Sequence, residues 1–306
     1  MRNVLRPASI RAKLEPFTLS AGDCMFQPFP GDVGDWEGLS RAEIVFLHYW
    51  TDARLPEPRL DPENGWIRCS RKTRLTMSES FDGDELGRYY IDNLREALTE
   101  KGEWYFNEDL RRIDYLPFDG EDLADCRLEV PCLACFFGVK GHAPGMSKSH
   151  LSGDRVEPVR EFNLEGLVFR QSGWDLPVGR DVSHEQDRSL APEVPLGGAP
   201  QGASHVPGCL DFQFMENSRV HDCRFERVGY FPAVFGEGCR QCLYRGCQAE
   251  DLAAGGVRIG GGDLETAAFR RTEEVHVTDC TFRRGGRRFH GAVGILIQAA
   301  RQCRIL

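Results

Sequence analysis

Apolar and polar positions alternate through the C-terminal half of the chain in short bursts that recur. VHDCRF (220–225), YRGCQA (244–249) and VTDCTF (277–282) are near-copies, with Cys223, Cys247 and Cys280 in one phase, 24 and then 33 residues apart. LEGLVF (164–169) is an earlier copy, with Leu167 at the Cys position and Phe169 in the phase of Phe225. Within a copy the residues alternate: Val220 in, His221 out, Asp222 at a bend, Cys223 and Phe225 in. That is the two-residue period of a strand. A second apolar run follows each copy: AVF (233–235), GGVRIG (255–260) and AVGILI (292–297). Gly and polar residues break the chain between them, so each repeat reads as two or three very short strands. Helical i, i+3, i+4 stripes are absent, and so is the Leu-x-x-Leu-x-Leu framework of leucine-rich repeats. Repetition at this period marks a solenoid, whose turns bury apolar residues only against the turns above and below. The pattern predicts a right-handed parallel β-helix with Cys and Phe stacked in its lumen.

Residues 18 to about 137 do not repeat. Strand-like pieces recur there: EIVFLHYW (43–50), GWIRCS (65–70), RYYIDN (88–93), EWYFNE (103–108), RIDYLP (112–117) and CRLEVP (126–131). Turn signals at Glu63-Asn64-Gly65 and Asp119-Gly120 separate them. NLREALTEKG (93–102) is the one expected helix, ended by Gly102. The organisation read from these patterns is an N-terminal remnant (1–17), a β-rich, sandwich-like module (18–137) and the solenoid (138–306). A long polar excursion, 174–206, interrupts the solenoid as a lid or a mobile loop.

Composition narrows the function classes. The chain has 306 residues, 41% hydrophobic, with 33 Gly and 17 Pro, enough for two β-rich domains. A net charge of −9 leaves no basic footprint for nucleic acid. No apolar run reaches membrane-spanning length, and the opening MRNVLRPASIRAKLEPF is basic without an apolar signal core. RQCRIL, at the C-terminus, reads as the start of another repeat with Ile305 in the phase of Tyr244, so a fragment cut inside a coil is expected. The compartment is left open on these grounds. A monomer is expected. Twelve Cys raise a zinc or disulfide reading, and CLAC (132–135) and CRQC (239–242) have zinc-knuckle spacing. The two pairs are far apart and the repeat explains three other Cys. Buried thiols are therefore expected rather than a metal or any cofactor, as suits a reducing compartment.

GEWYFNEDLRRIDYLPFDGED (102–122), followed by VPCL (130–133), resembles the WY-x-D…LYY-x-P…VP segment of a bacterial parallel β-helix family. GYFPAVFGEGCRQCLYRGCQAEDLAAGGVRIGGGD (229–263) and RRFHGAVGILI (287–297) resemble that family's coils. The chain from about His48 onward is thus similar to glycoside hydrolase family 141 and its relatives, of the pectin-lyase-like superfamily. The resemblance implies activity on fucose- and xylose-containing plant polysaccharides, a sandwich-like module before the first coils, and a secreted or periplasmic setting. The family's catalytic residues do not map one by one onto this chain.

Candidate residues come from aligning the repeats. Setting Val220 under Tyr244 places Leu210 beside Val234, Asp211 beside Phe235 and Gln213 beside Glu237. Leu210, Val234, Val257 and Ile295 then face the lumen. Asp211, Phe235, Arg258 and Leu296 point outward, as do Gln213, Glu237, Gly260 and Gln298. An outer face with an acid, an aromatic, an Arg and two amides suits a sugar ring, or is simply solvated. Glycoside hydrolysis needs two carboxyls, about 5–5.5 Å apart for retention and about 6.5–9.5 Å for inversion. Asp211 and Glu237 are expected about 8 Å apart by backbone, closer to an inverting pair. Asp251 and Asp263 bracket GGVRIGGG as further candidate acids; Asp251 also fits a structural turn, and Asp263 opens an insertion of the kind that gathers on a solenoid's binding face. His290 could bind a hydroxyl or act as acid or base, and Trp174 could stack on a sugar. His184 and Glu185 are weaker candidates in the long loop. GGVRIGGGD is not a phosphate loop, since no Lys-Ser/Thr follows. Three functions stay open: a glycoside hydrolase using paired carboxylates on an oligo- or polysaccharide, a polysaccharide lyase, and a non-catalytic carbohydrate-binding or structural β-helix.

Overall fold

The computed structural model describes residues 4–10, 22–78, 85–143, 155–175, 195–261 and 267–306. Asp263, His184, Glu185 and most of the 174–206 loop lie outside the described residues. The described residues divide into two units, one within Met1–Leu128 and Leu176–Pro200, the other within Glu129–Asp175 and Gln201–Leu306.

Antiparallel pairing builds the first unit. Its strands are β1 (Pro7–Ile10), β2 (Met25–Pro28), β3 (Glu43–Leu47), β4 (Asp52–Pro56), β5 (Arg59–Leu60), β6 (Ile67–Arg68), β7 (Tyr89–Asp92), β8 (Trp104–Asn107) and β9 (Arg112–Tyr115). They form sheets in the orders β1-β2-β6-β5 and β4-β3-β7, with β8-β9 as a hairpin. Phe26 of β2 meets Phe46 of β3 and Tyr89 of β7 edge-on, at 4.9 Å in each case, so the two sheets share one core with Ile44, Leu55 and Ile67. Arg54 is 2% exposed beside that core, and its Nη1 donates to Glu43 at 2.8 Å and Asp92 at 3.2 Å. A buried guanidinium is tolerable only when paired in this way.

Two local expectations are corrected here. The 93–102 stretch forms only a 3-10 turn, Arg95–Ala97. Asn93 has φ +56°, and the Glu103 carboxylate accepts from the N–H groups of Thr99 and Glu100, so the backbone donors are used before a helix can propagate. CRLEVP (126–131) forms no strand: Leu128 and Val130 are exposed, and Pro131 has no N–H to give a ladder.

In the second unit the repeats stack as turns of a parallel β-solenoid. Sheet A takes β10 (Phe137–Lys140), and sheet B takes β11 (Val159–Arg160) and β12 (Asn163–Glu165). Sheet C takes β13 (Val168–Arg170). The next turn gives β14 (Gly208–Gln213) to sheet A, β15 (Met215–Glu216) and β16 (Arg219–His221) to B, and β17 (Arg224–Glu226) to C. Then come β18 (Phe231–Phe235), β19 (Arg240–Arg245) and β20 (Gln248–Glu250), followed by β21 (Val257–Ile259), β22 (Thr272–Thr278) and β23 (Thr281–Arg283). β24 (Ile295–Ile297) ends sheet A, and β25 (Ala300–Arg301) and β26 (Arg304–Ile305) extend sheet B. Every pairing between named strands in these sheets is parallel.

The corner between sheets B and C shows why the motif repeats. Gly166, Asp222, Gly246 and Asp279 occupy it in successive turns, with φ of +66°, +52°, +64° and +55°. Left-handed backbone is open to Gly and tolerated by Asp, which explains the residue before each Cys. Register places Cys223, Cys247 and Cys280 in one column just past that corner. Hydrogen bonding to its two neighbours and burial push the Cys247 thiol far up. None of the twelve Cys forms a disulfide. The CRQC thiols are lumenal: Cys239 donates to the Phe212 carbonyl at 3.3 Å and Cys242 to that of Met215 at 3.5 Å.

Rings fill the lumen. Phe169 stacks on Phe225 at 5.1 Å, Phe225 on Tyr244 at 6.2 Å and Tyr244 on Phe282 at 6.3 Å. Tyr244 reaches over from sheet B to occupy the gap that Ala249 leaves in the Phe column of sheet C. Outside sheet B, Arg160, Glu216, Arg240, Glu273 and Arg301 share one column, so charge alternates up the stack. Opposite charges on facing strands stabilise such a column where like charges would split it.

Candidate functional site

Sheet A carries the residues in which the sequence placed the chemistry, in a register one residue different. Asp211 pairs with Val234 and Phe212 with Phe235; Val234 pairs with Arg258, and Arg258 with Leu296. The outward column is therefore Gly138, Asp211, Val234, Arg258 and Leu296. The repeat-based alignment carried the 24-residue spacing of sheet B into sheet A. The corner between β18 and β19 holds the extra residue, so the spacing in sheet A is one shorter. A slip of one residue reverses faces. Phe235 is accordingly corrected from outward substrate platform to lumen residue, 0% exposed and packed on Phe212 at 5.2 Å.

Gly202 lies against this sheet, bridging to Ala292 next to its last strand. A Cβ at Gly202 would lie 3.2 Å from Leu296 Cδ1. Val234 is buried although it points outward. Asp211 is largely withdrawn from water beside it. Burial pushes its carboxyl above the usual Asp range; the Gly208 N–H, donating to Oδ2 at 3.1 Å, and the charges of Arg258 and Lys140 oppose that rise. Arg258 is pulled down by its own burial, offset by Asp211. Its Nη1 donates to the Gly260 carbonyl at 3.4 Å, and its Nε has no partner. Gln213, two residues beyond Asp211, shares the outer face in the Lys140 column.

The other candidates are placed elsewhere. Both carboxylate oxygens of Glu237, the expected partner of Asp211, accept from Arg270 Nη1, at 2.9 and 3.0 Å, in an ion pair across the corner turn. Asp251 has φ +56° and accepts from Arg284 Nε at 2.8 Å and Nη2 at 3.1 Å, which holds its carboxyl below the usual range. Trp174 has Arg288 over its ring at 4.9 Å and Phe289 edge-on at 6.1 Å. Tyr230 lies 6.4 Å from Phe289, and its hydroxyl accepts from the Asp175 N–H at 2.9 Å. His290 is exposed next to Phe289. The structure thus sets Asp211, Gln213 and Arg258 on one outer face, with Val234 between Asp211 and Arg258, and gathers Trp174 and His290 at the corner that leads into sheet A.

Sequence reasoning missed the outer face of sheet C. Arg224, Gln248, Glu250, Thr281 and Arg283 line a cavity of about 130 Å³ over Phe225 and Ala249. The signal was available in the residues after each Cys: CRFE, CQAE and CTFR alternate polar and apolar, and the polar ones share a face. Glu165, His221 and Asp222 form the one group with metal-ligand spacing among the described residues, on the outside of sheet B and its corner.

No protein-family model matches the chain, and no curated protein matches it. Among solved structures, one described as "Glycoside hydrolase" aligns with a TM-score of 0.63 at 18% identity, over 99% of this chain and 56% of that one. The chain therefore spans just over half the length of that structure, and the likeness is one of fold. Among the described residues no helix is long and apolar enough to cross a membrane.

Proposed function

We propose that the chain is a carbohydrate-active protein of the glycoside hydrolase type, with Asp211 as its general acid. The carrying observation is that Asp211 is outward-facing, yet buried enough to hold its proton more tightly than an ordinary Asp, on one face with Arg258 and Gln213. Fold likeness to a glycoside hydrolase supports the reading, as does the resemblance to plant-polysaccharide enzymes. A carboxyl with raised proton affinity is suited to protonate a departing glycosidic oxygen. Arg258 then stabilises the carboxylate that remains, and Gln213 offers an amide to sugar hydroxyls. The second carboxyl is proposed to be Asp263, five residues past Arg258 in sequence; Glu237 could serve only by releasing Arg270.

The test is to incubate the protein, and Asp211→Asn beside it, with aryl glycosides, neutral plant polysaccharides and polygalacturonate, with and without calcium. Reducing ends should appear without unsaturated-uronate absorbance and without calcium dependence. Asp211→Asn should slow their release about 10²–10⁴-fold. Calcium-dependent unsaturated product would replace this reading with a lyase, and no product from any substrate would leave a binding protein.

A further inference from the structure

The outer face of sheet C presents two rows of side chains, since its alternate residues Phe169, Phe225, Ala249 and Phe282 turn into the lumen. One row is Val168, Arg224, Gln248 and Thr281; the other is Arg170, Glu226, Glu250 and Arg283. Most charges on this face are already matched. Arg224 Nε meets Glu226 at 2.6 Å, Arg170 meets Glu129 at 3.4 Å, and Glu250 is paired with Arg284. Three cavity-lining side chains are not: Gln248, Thr281 and Arg283 have no side-chain hydrogen-bond or ion-pair partner among the described residues. The cavity, about 130 Å³, is roughly ten times the space one water needs.

We infer that this face is a second carbohydrate site, separate from Asp211, which binds a carboxylate-bearing sugar unit of an acidic oligosaccharide. Arg283 supplies an unmatched planar guanidinium whose fork fits a carboxylate bidentately. Gln248 and Thr281, one strand apart at about 4.8 Å, offer a donor–acceptor amide and a hydroxyl to neighbouring sugar hydroxyls. Glu250 on the neighbouring strand and Glu226 one strand further lie on one side of the guanidinium, so a monoanion is accepted where a phosphate-like dianion is repelled. The groups are borne on a hydrogen-bonded parallel sheet, which fixes the spacing of their backbones before the ligand arrives. The inference deepens the carbohydrate reading above and rests on it for the class of ligand.

Calorimetric titration with an oligogalacturonide and with its methyl ester tests the assignment. The acid should bind better than the ester, against the chain's net charge of −9. Arg283→Ala should weaken the acid about tenfold or more and leave the ester unchanged, with thermal melting unaltered. Asp211→Asn should bind the acid like the wild type. Equal binding of acid and ester, or an Arg283→Ala protein that binds like the wild type, overturns the site and leaves the hydrolase reading standing. Loss of binding in Asp211→Asn alone relocates the ligand to sheet A and also overturns it. Inorganic sulfate that displaces the acid as well as free galacturonate does would reduce the site to an anion pocket. Absence of binding by both sugars, in a preparation that still hydrolyses a neutral polysaccharide, removes this site only.

Discussion

Sheets A and C are built from the same turns of chain, yet their outer faces treat charge in opposite ways. On sheet A a carboxyl and a guanidinium, Asp211 and Arg258, are drawn out of water, and burial shifts the proton affinity of both. On sheet C the guanidiniums and carboxylates stay at the surface, matched in pairs, with Arg283 left over. Burial makes a group that can move a proton; exposure keeps full charge and makes a group that recognises. One solenoid offers both because only its lumen has to be apolar.

The largest effect should come from removing what both faces share. Phe225→Ala takes a ring from the lumen stack and should cost about 3–5 kcal/mol in denaturant unfolding, weakening both faces together. A cost well below 1 kcal/mol would mean that the faces are not supported by a common stack. The next contrast is chemical. Asp211→Asn should lose turnover by about 10²–10⁴-fold while Glu250→Gln keeps it; equal losses would erase the distinction between the faces.

The pH dependence sharpens it further. Because the folded-state pKa of Asp211 is raised above its unfolded value, the folded protein holds more protons between the two. Over that window, from the ordinary Asp range up to the raised pKa, stability contributed by this group falls as pH rises. Asp211→Asn should remove that slope and melt slightly higher than the wild type at neutral pH, as followed by Tm against pH. A wild-type Tm that rises through the window by more than the variant's would reverse the sign. The smallest effect belongs to Asp251→Asn, where Asn still accepts the left-handed backbone. This exposed partner of Arg284 should change neither Tm nor turnover measurably.

The solenoid was legible because its constraint repeats. Each turn needs the same corner, so Asp222, Gly246 and Asp279 precede Cys223, Cys247 and Cys280, and the column they predict is the one observed. Sheet A was misread by one residue because corners differ in length from turn to turn, and nothing local in PAVFGEGC shows which residue is extra. The Glu237–Arg270 pair joins a corner to the end of an insertion, a contact that no aligned column contains. The first unit was read strand by strand where β-branched and aromatic residues cluster, as in β3 and β7. Its short strands β1, β2, β4 and β5 went unseen, since two to five residues carry too little period to read. Tyr244 filling the space above Ala249 likewise depends on a neighbouring sheet rather than on its own.

The most direct measurement compares wild type and Asp211→Asn on two glycosides of the same sugar, one with a poor alkoxide leaving group and one with a strongly activated aryl leaving group. A general acid matters only when the leaving oxygen needs its proton. Asp211→Asn should lose most of its activity on the first substrate and cleave the second at a near-normal rate. Equal loss on both would show that Asp211 holds the fold or the sugar and donates no proton.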